Sequence, residues 1–406
     1  MLVNSETAAP TEKKRIAIFL DGTWNTVNDN TNVWRLRALC APKGADGVDQ
    51  AIYYNSGVGT RFGEKIRGGI LGYGLNNNII DAYQWLIERY NDGDELFIFG
   101  FSRGAYTARS LSGFISKCGL LEAGAPLSVN QLYARYRRAN VPRTIRKLKE
   151  DQESGLKNFD LEEQWMLEYS RPVDIEFIGV WDTVGALGVP LAGVPGFGKA
   201  DARFLNTGIR LTNKFAFHAL AIDEHREAFA PTLWTFDSPQ QADAEAVTPV
   251  MVPRHLAQVE QRWFVGAHAN VGGGCTSDML AQTPLKWIMD KAKLHGLAFK
   301  KDVRIEGVLD ACPITDSYSE FMNGWYKRLT LGRRFYRTIA DEPSNLGENS
   351  YRYPLNETID GSVFERWRQN RDYRPPSLES WAKRKLCDIS KLDASVEAAS
   401  LRPVAS

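Results

Sequence analysis

The sequence is short of cysteines and has no long apolar run, and each shortage excludes a class of protein. Only five of the 406 residues are cysteine, an odd number without CxxC spacing, which argues against a disulfide framework and a common zinc site. No stretch approaches the roughly 20 apolar residues that a membrane-spanning helix needs. The first residues also lack a basic, then apolar, leader pattern. We therefore expect a cytoplasmic protein with reduced thiols. If it is exported, we expect a secretion system that does not use a cleaved leader.

An excess of charge of one sign is also missing. Fifty Lys and Arg residues face 49 Asp and Glu residues, for a formal net charge of +1. This balance gives no reason to expect a nucleic-acid partner. With 43% hydrophobic residues, the chain can bury a large core, and its length favours one large domain with insertions.

Apolar runs alternate with amphipathic stretches along the first two thirds of the chain. Continuous apolar runs of this kind are typical of buried parallel strands, and the stretches between them have helical spacing. Strands are predicted at residues 15–20, 95–100, 175–180 and 262–266, and helices at 78–90 and 105–116. The alternation predicts an α/β fold with a doubly wound, mainly parallel sheet.

The remaining segments suggest a domain plan. Residues 126–170 are rich in charge with helical spacing, which predicts a helical insertion that is either a cap over the site or a solvated excursion. Residues 187–213 are rich in Gly and Pro and predict a long loop. The plan is a disordered N-terminus at 1–14, an α/β-hydrolase-like domain at 15–380 that ends in a C-terminal extension, and a tail at 381–406. Basic-aromatic sequence within 325–337 indicates either packed structure or a surface for peripheral membrane contact.

The segment Gly100-Phe101-Ser102-Arg103-Gly104 is the strongest functional motif. It matches GxSxG directly after a predicted strand and before a predicted helix, which is the context of a nucleophile elbow. The glycines Gly100 and Gly104 allow strand and helix to approach closely. Ser102 is therefore the candidate nucleophile, and the backbone N–H of Arg103 is a candidate oxyanion donor.

A serine nucleophile needs a base, and only five histidines are available. His268 follows a predicted strand and precedes a glycine-rich stretch, where the base of this arrangement belongs. His218 lies in an apolar stretch that we interpret as a helix face, which favours a structural role. His225 and His295 lie among charged residues and are expected at the surface, and His255 lies in an irregular segment.

The candidate acid is Asp182, which directly follows the third predicted strand. Its alternative role is that of a helix N-cap. Asp223 and Asp278 are competitors, but neither ends a predicted strand. Gly22 or Thr23, at the end of the first strand, would donate the second half of the oxyanion hole, and Asp21 would instead fix that loop through its own backbone hydrogen bonds.

Five separated motifs, in order between about residues 15 and 380, resemble the type VI secretion (T6SS) phospholipase effector family, a domain family with an α/β-hydrolase fold. The motifs are Asp21-Gly22-Thr23-Trp24-Asn25, Gly57-Val58-Gly59-Thr60, the Ser102 segment extended to Tyr106, Gly179–Gly185 and Gly266–Gly274, with Tyr373-Arg374-Pro375-Pro376 as a weaker sixth.

The resemblance implies that Ser102, Asp182 and His268 form a triad that hydrolyses phospholipid acyl esters. It also implies partners in a secretion apparatus or an immunity protein. Two residues depart from the family pattern, since Asn270 stands where many relatives have Asp and Asp360 stands where many have His. Neither belongs to the predicted triad.

Three alternatives stay open. The substrate could be a small soluble acyl ester, or the chain could be a non-catalytic relative that binds a partner. The strand running into Asp21-Gly22-Thr23 resembles the start of a phosphotransferase, but Phe19 stands where that chemistry needs a carboxylate. The hydrolase mechanism needs no cofactor and no metal, although Asp21 with Asn25 could in principle hold a cation.

Overall fold

The computed structural model describes residues 13–22, 30–57, 70–138, 143–185, 212–239, 254–274, 279–307, 312–347 and 350–404. The strands are β1 (Arg15–Leu20), β2 (Gln50–Asn55), β3 (Glu95–Phe101), β4 (Leu120–Leu121), β5 (Ser170–Arg171), β6 (Ile175–Trp181), β7 (Asn213–Ala221), β8 (Thr235–Pro239), β9 (Val259–Phe264), β10 (Ser344–Gly347), β11 (Ser350–Pro354), β12 (Glu357–Ile359) and β13 (Val396–Glu397). The helices are α1 (Asn32–Leu39), α2 (Ile70–Arg89), α3 (Arg103–Cys118), α4 (Val129–Arg137), α5 (Ile145–Glu153), α6 (Leu161–Tyr169), α7 (His268–Gly272), α8 (Gln282–Leu294), α9 (Ser317–Glu320), α10 (Trp325–Leu329), α11 (Gly361–Gln369) and α12 (Pro376–Lys385).

The centre of the molecule is a sheet that, within the described residues, contains eight strands in the order β13-β12-β9-β7-β6-β3-β1-β2. Every neighbouring pair is parallel except β12 and β13 at one edge. The four strands predicted from the sequence lie inside this sheet, which confirms the predicted α/β fold. Strands covered on both faces are mostly apolar, which explains why continuous runs predict them, although β9 also buries Glu260, Gln261 and Arg262.

Successive side chains of the central strands face opposite layers of helices. Ile18 and Ile98 belong to a core cluster shared with α2 and α3. Phe19 and Phe99 point the other way, stack on each other with ring centroids 5.0 Å apart, and join a cluster with α1 and α8. The sheet is therefore sandwiched between helices, and its carboxyl edge is left for the loops that carry polar residues.

Strand β7 corrects the prediction that His218 lies on a helix. The segment Asn213–Ala221 is a central strand between β6 and β9, and His218 is completely buried on it. Its Ala and Leu residues favour helix in isolation, but burial between two parallel neighbours outweighs that preference. Most of the long loop predicted at 187–213 lies outside the described residues, and its last residue is the first of β7.

The predicted insertion at 126–170 contains α4, α5 and α6. Its Tyr133 and Tyr136 contact Phe114 in the second half of α3, with ring centroids 5.3 Å away in each case. Phe114 is twelve residues beyond Ser102, or about 18 Å along a helix. These contacts fix the insertion against the outer helices, and its role as a cap stays a prediction.

The prediction that residues 381–406 form a tail is wrong for most of the segment. Trp381 is fully buried and donates its indole N–H to the Ala398 carbonyl at 2.9 Å. Strand β13 then pairs with β12 at the edge of the main sheet. The segment completes the core around α11 and α12. The sequence did not indicate this, because the few apolar residues of the segment fill gaps that periodicity does not reveal.

The described cysteines do not pair with one another. Cys40, Cys118, Cys312 and Cys387 form no disulfide bond, and Cys275 lies outside the described residues. In the part of the chain that is described, no helix is both long enough and apolar enough to cross a membrane.

Candidate active site

Three strand ends meet at the carboxyl edge of the sheet. Ser102 follows β3, Asp182 follows β6 and His268 follows β9, with β7 between the last two. Three inter-strand spacings of about 4.8 Å bring the ends of β3 and β9 within about 14 Å, a gap that side chains bridge from both sides. The loop after β6 is fixed because its amide at Asp182 donates to the Ala219 carbonyl at 2.7 Å.

The turn at Ser102 has the backbone of a nucleophile elbow. Ser102 has φ 57° and ψ −120°, which is a strained conformation for a residue with a side chain. The turn is compact because α3 starts immediately against β1. A Cβ on Gly104 would lie 2.1 Å from the Leu20 carbonyl oxygen, and one on Gly100 would lie 2.5 Å from the Gly104 oxygen. The two glycines of the motif are therefore required by close backbone approach.

The side chains of Ser102, His268 and Asp182 form a continuous hydrogen-bonded chain. Ser102 Oγ lies 2.8 Å from Nε2 of His268, and His268 Nδ1 lies 2.5 Å from Oδ2 of Asp182. The three residues are 8%, 6% and 0% exposed, respectively. The carboxylate thus fixes the imidazole tautomer that leaves Nε2 able to accept the serine proton.

Arg337 is the site residue that the sequence analysis missed. Its guanidinium donates to both carboxylate oxygens of Asp182, at 2.6 and 2.9 Å, and its side chain is fully buried. It also donates to the carbonyls of Ala221 and Phe229 at 2.7 and 2.6 Å. The bidentate pair holds the carboxylate in one orientation. Because Arg337 ends a stretch of surface-like basic residues, nothing in the pattern distinguished it.

The electrostatics keep Asp182 ionised and His268 neutral. Burial raises the pKa of the Asp182 carboxyl, but Arg337 and the hydrogen bond from His268 lower it by more, so this pKa lies well below its ordinary value. Burial lowers the pKa of His268, and the Asp182 carboxylate offsets only part of this effect. A neutral imidazole beside a serine hydroxyl is the protonation state that a general base requires.

Aromatic rings and a second carboxylate surround His268. Its ring contacts Phe101 and Phe229, with centroids 4.7 and 5.0 Å away. Its backbone N–H donates to Glu224 at 3.2 Å, and Glu224 also pairs with Arg226 at 2.8 Å. Two neighbouring rings and a fixed backbone leave the imidazole little freedom to rotate.

Comparisons with known proteins identify the family of the chain. A family model described as "T6SS, Phospholipase effector Tle1-like, catalytic domain" matches residues 14–291, more than half of the chain. The chain belongs to the Tle1-like family. An uncharacterized protein of Saccharomyces cerevisiae is 26% identical over an alignment of 244 residues that covers 55% of this chain and 33% of the relative. The chain therefore spans about a third of the length of that relative.

Two solved structures resemble this Tle1-like chain at low identity. One is an uncharacterized protein from Pseudomonas aeruginosa, with 17% identity and a TM-score of 0.43 over 78% of this chain and 51% of the other. The second is the Tle1 effector bound to the VgrG spike of the type 6 secretion system, with 18% identity and a TM-score of 0.31 over 64% of this chain and 51% of the other. The chain spans about half of each.

The predicted oxyanion donors of the Tle1-like domain lie in two places. Arg103 is the first residue of α3, where the first four amides of a helix have no partner within the helix. The Gly22 amide donates to Oδ1 of its neighbour Asp21 at 2.8 Å, and Thr31 donates to Oδ2 at 2.5 Å. Asp21 therefore holds the end of β1 in place, and Thr23 lies outside the described residues.

The other candidates for the acid and the base that the structure describes have structural partners. The Asp223 carboxylate accepts from the Gly266 amide at 2.8 Å and from the Tyr373 hydroxyl at 3.1 Å. His218 accepts from the Thr183 amide at 3.0 Å, as a structural histidine should. Asp278 and Asn25 lie outside the described residues.

The surface prediction for His225 and His295 needs correction. Both are half-buried, and His295 stacks on Phe215 with ring centroids 3.5 Å apart. Charged neighbours in sequence mislead at both positions: Glu224 and Arg226 beside His225 are themselves buried as an ion pair, whereas Lys293 near His295 is exposed.

The two departures from the family pattern have local roles. Asn270 accepts the amides of Ala267 and Thr315 at 3.1 and 3.0 Å, which ties the His268 turn to a later segment. Asp360 caps α11 through the Ser362 amide at 3.1 Å and contacts Arg262 at 3.3 Å. Among the described residues, no group of three His, Cys, Asp or Glu side chains is placed to hold a metal ion.

Proposed function

We propose that this chain is a serine hydrolase that cleaves carboxylic esters of lipids, with phospholipid acyl esters as the substrate class. The observation that carries the proposal is the hydrogen-bonded chain from Ser102 through His268 to Asp182, which starts at a strained strand-to-helix turn. The lipid substrate is supported by membership of a family of phospholipase effectors. The same membership supports delivery by a secretion apparatus as a proposal.

In the proposed mechanism, Ser102 Oγ attacks the acyl carbonyl carbon while His268 Nε2 takes the hydroxyl proton. The negative charge on the carbonyl oxygen is met by the Arg103 amide, and we expect Thr23 to supply the second donor because the Gly22 amide already donates to Asp21. The tetrahedral intermediate collapses, the ester bond breaks, and His268 returns the proton to the departing alcohol. Water then attacks the acyl-enzyme by the same route and releases a carboxylic acid.

Asp182 and Arg337 support the proton transfers without exchanging protons themselves. The carboxylate stabilises the imidazolium that forms in each step. Because Arg337 donates to both of its oxygens, the carboxylate cannot rotate away when the imidazole charges. The role of Arg337 is therefore one of positioning.

The proposal is tested with a panel that compares short p-nitrophenyl esters with phospholipid vesicles. We expect Ser102→Ala to lower kcat by at least about 10⁴-fold and to abolish covalent labelling by a fluorophosphonate. The matched control is Ser110→Ala, another buried serine on α3, which should keep both activities. Equal labelling of the Ser102→Ala protein would refute the mechanism, and hydrolysis confined to short soluble esters would refute the lipid substrate.

A further inference from the structure

Residues 321–340 contain five basic residues and neither Asp nor Glu, although the whole chain is balanced in charge. Two of the five have acidic partners, since Arg337 pairs with Asp182 and Arg334 pairs with Asp316 at 2.8 Å. The other three are exposed and make no ion pair with any described residue. Together with four exposed apolar residues they form what we call the 325–336 surface, which consists of Trp325, Lys327, Arg328, Leu329, Leu331, Arg333 and Tyr336.

The apolar part of this surface is unusually exposed. Trp325, Leu329 and Leu331 are 60%, 61% and 84% exposed, and Tyr336 is 45% exposed. Large apolar side chains gathered within twelve residues of a chain mark an interaction site more often than isolated ones do.

The backbone at Leu331 gives a second indication. Leu331 has φ 51°, a left-handed conformation that Gly or Asn adopts at lower cost, just after the end of α10. A leucine that is both exposed and in this conformation contributes to folding neither by burial nor by backbone preference. Its side chain is therefore left available for a contact outside the folded core.

The 325–336 surface lies close to the candidate active site. A chain of ring contacts leads from His268 to Phe229 at 5.0 Å, from Phe229 to Phe321 at 5.5 Å, and from Phe321 to Tyr326 at 5.6 Å. Tyr326 is the buried residue of α10, flanked by Trp325 and the exposed cations. The residue that follows the surface, Arg337, reaches Asp182. The surface is thus attached to the site through short, packed contacts.

We propose that the 325–336 surface docks on an anionic lipid bilayer. Unpaired cations fit negatively charged headgroups, Trp and Tyr fit the interface, and the leucines reach the start of the acyl layer. A nucleic acid would match the cations but would leave Leu329 and Leu331 without an apolar environment. The proposal rests on the proposed function in one respect, since docking would bring lipid esters to Ser102.

Vesicle binding is measured in the Ser102→Ala protein, so that turnover does not change the lipid. The probe is co-sedimentation with vesicles of equal parts phosphatidylglycerol and phosphatidylcholine, beside vesicles of phosphatidylcholine alone. We expect the joint change Lys327→Gln, Arg328→Gln, Arg333→Gln to lower partitioning onto anionic vesicles by about 100-fold, at roughly fivefold per cation. The matched control changes three exposed cations elsewhere, Lys157, Lys301 and Arg402, to Gln and should keep binding.

Leu331→Asn separates docking from folding. Asn tolerates the left-handed conformation, so the variant should keep or gain thermal stability, while losing about five- to tenfold in vesicle binding. Equal binding by the parent and the triple Gln protein, or equal loss in the control, overturns the proposal. Absence of vesicle binding together with a dimer that Leu331→Asn dissociates also overturns it, since the surface would then contact a second copy.

The same variants with Ser102 intact distinguish this proposal from the proposed function. Hydrolysis of a short soluble ester should be unchanged in the triple Gln and Leu331→Asn proteins, whereas hydrolysis of anionic vesicles should fall with binding. Charge-dependent vesicle binding without any ester hydrolysis would support docking and refute the hydrolase. Soluble ester hydrolysis without charge-dependent binding would support the hydrolase and overturn docking.

Discussion

Replacing Arg337 by Met tests how the buried cation serves the candidate site. The substitution keeps an unbranched apolar stem but leaves the Asp182 carboxylate with no cation at its side, and the carbonyls of Ala221 and Phe229 lose a donor. Breaking a buried ion pair from one side costs about 3–5 kcal/mol. At about 2.1 cal/mol/K of unfolding entropy per residue, this lowers the Tm of the 406-residue chain by about 4–6 °C.

The same substitution should change the pH dependence of catalysis. His268 acts as a base only when neutral, so activity is present above its pKa and is lost as the pH falls through it. Without Arg337, the Asp182 charge is no longer shared, and the carboxylate stabilises the imidazolium more strongly. The pKa of His268 therefore rises, and the acid limb of kcat/KM moves to higher pH.

The matched control for Arg337→Met is Arg262→Met. Arg262 is also buried and paired, with Glu260 at 2.7 Å and Asp360 at 3.3 Å, but it does not contact the candidate triad. We expect a similar fall in Tm and no movement of the acid limb. The reasoning fails if both variants move the limb equally, or if Arg337→Met leaves it in place while lowering Tm. Arg337→Lys should move the acid limb part of the way back to its position in the parent protein, because lysine returns the charge without the bidentate geometry.

Two further predictions concern the frame of the site. Gly104→Ala should lower the Tm by several degrees and reduce fluorophosphonate labelling, because its Cβ would meet backbone oxygens at the end of β1. The control is Gly185→Ala, whose Cβ has no neighbour closer than 3.9 Å and which should keep the parent Tm and labelling. Burial lowers the pKa of His218 from 6.5 to about 3, so the unfolded chain binds more protons between these values and the free energy of unfolding falls as the pH drops from about 6.5. Urea titrations at pH 7 and pH 5 should show a smaller fall in the free energy of unfolding for His218→Gln than for the parent protein. An equal fall in the two proteins would contradict the lowered pKa of His218.

Much of the frame could be predicted from local sequence. The runs that became β1, β3 and β6 were placed within one residue of their observed bounds, because strands buried on both faces are almost continuously apolar. The elbow at Ser102 could be predicted because its glycines, strand and helix are contiguous. Strand β7 could not, since Ala and Leu prefer helix locally and only the neighbouring strands decide otherwise.

The residues that line the site illustrate the same division. Asp182 was predicted because it directly follows a strand and His268 because it lies shortly after one, and parallel strands end at one edge. Arg337 was missed, since its partner is 155 positions away and its neighbours in sequence, such as Arg333, are exposed. Charge alone does not tell a buried guanidinium from a solvated one, because the distinction depends on what packs around it.

The sequence by itself determined the α/β class, the turn at Ser102 and the identity of the residues that could serve it, because these depend on contiguous residue types and on where strands end. Only the tertiary structure decided that β7 lies between β6 and β9, that Arg337 holds Asp182, and that the segment before Arg337 is left exposed beside the site. Such features arise from contacts between distant segments, and the energy of those contacts depends on burial that no local pattern records.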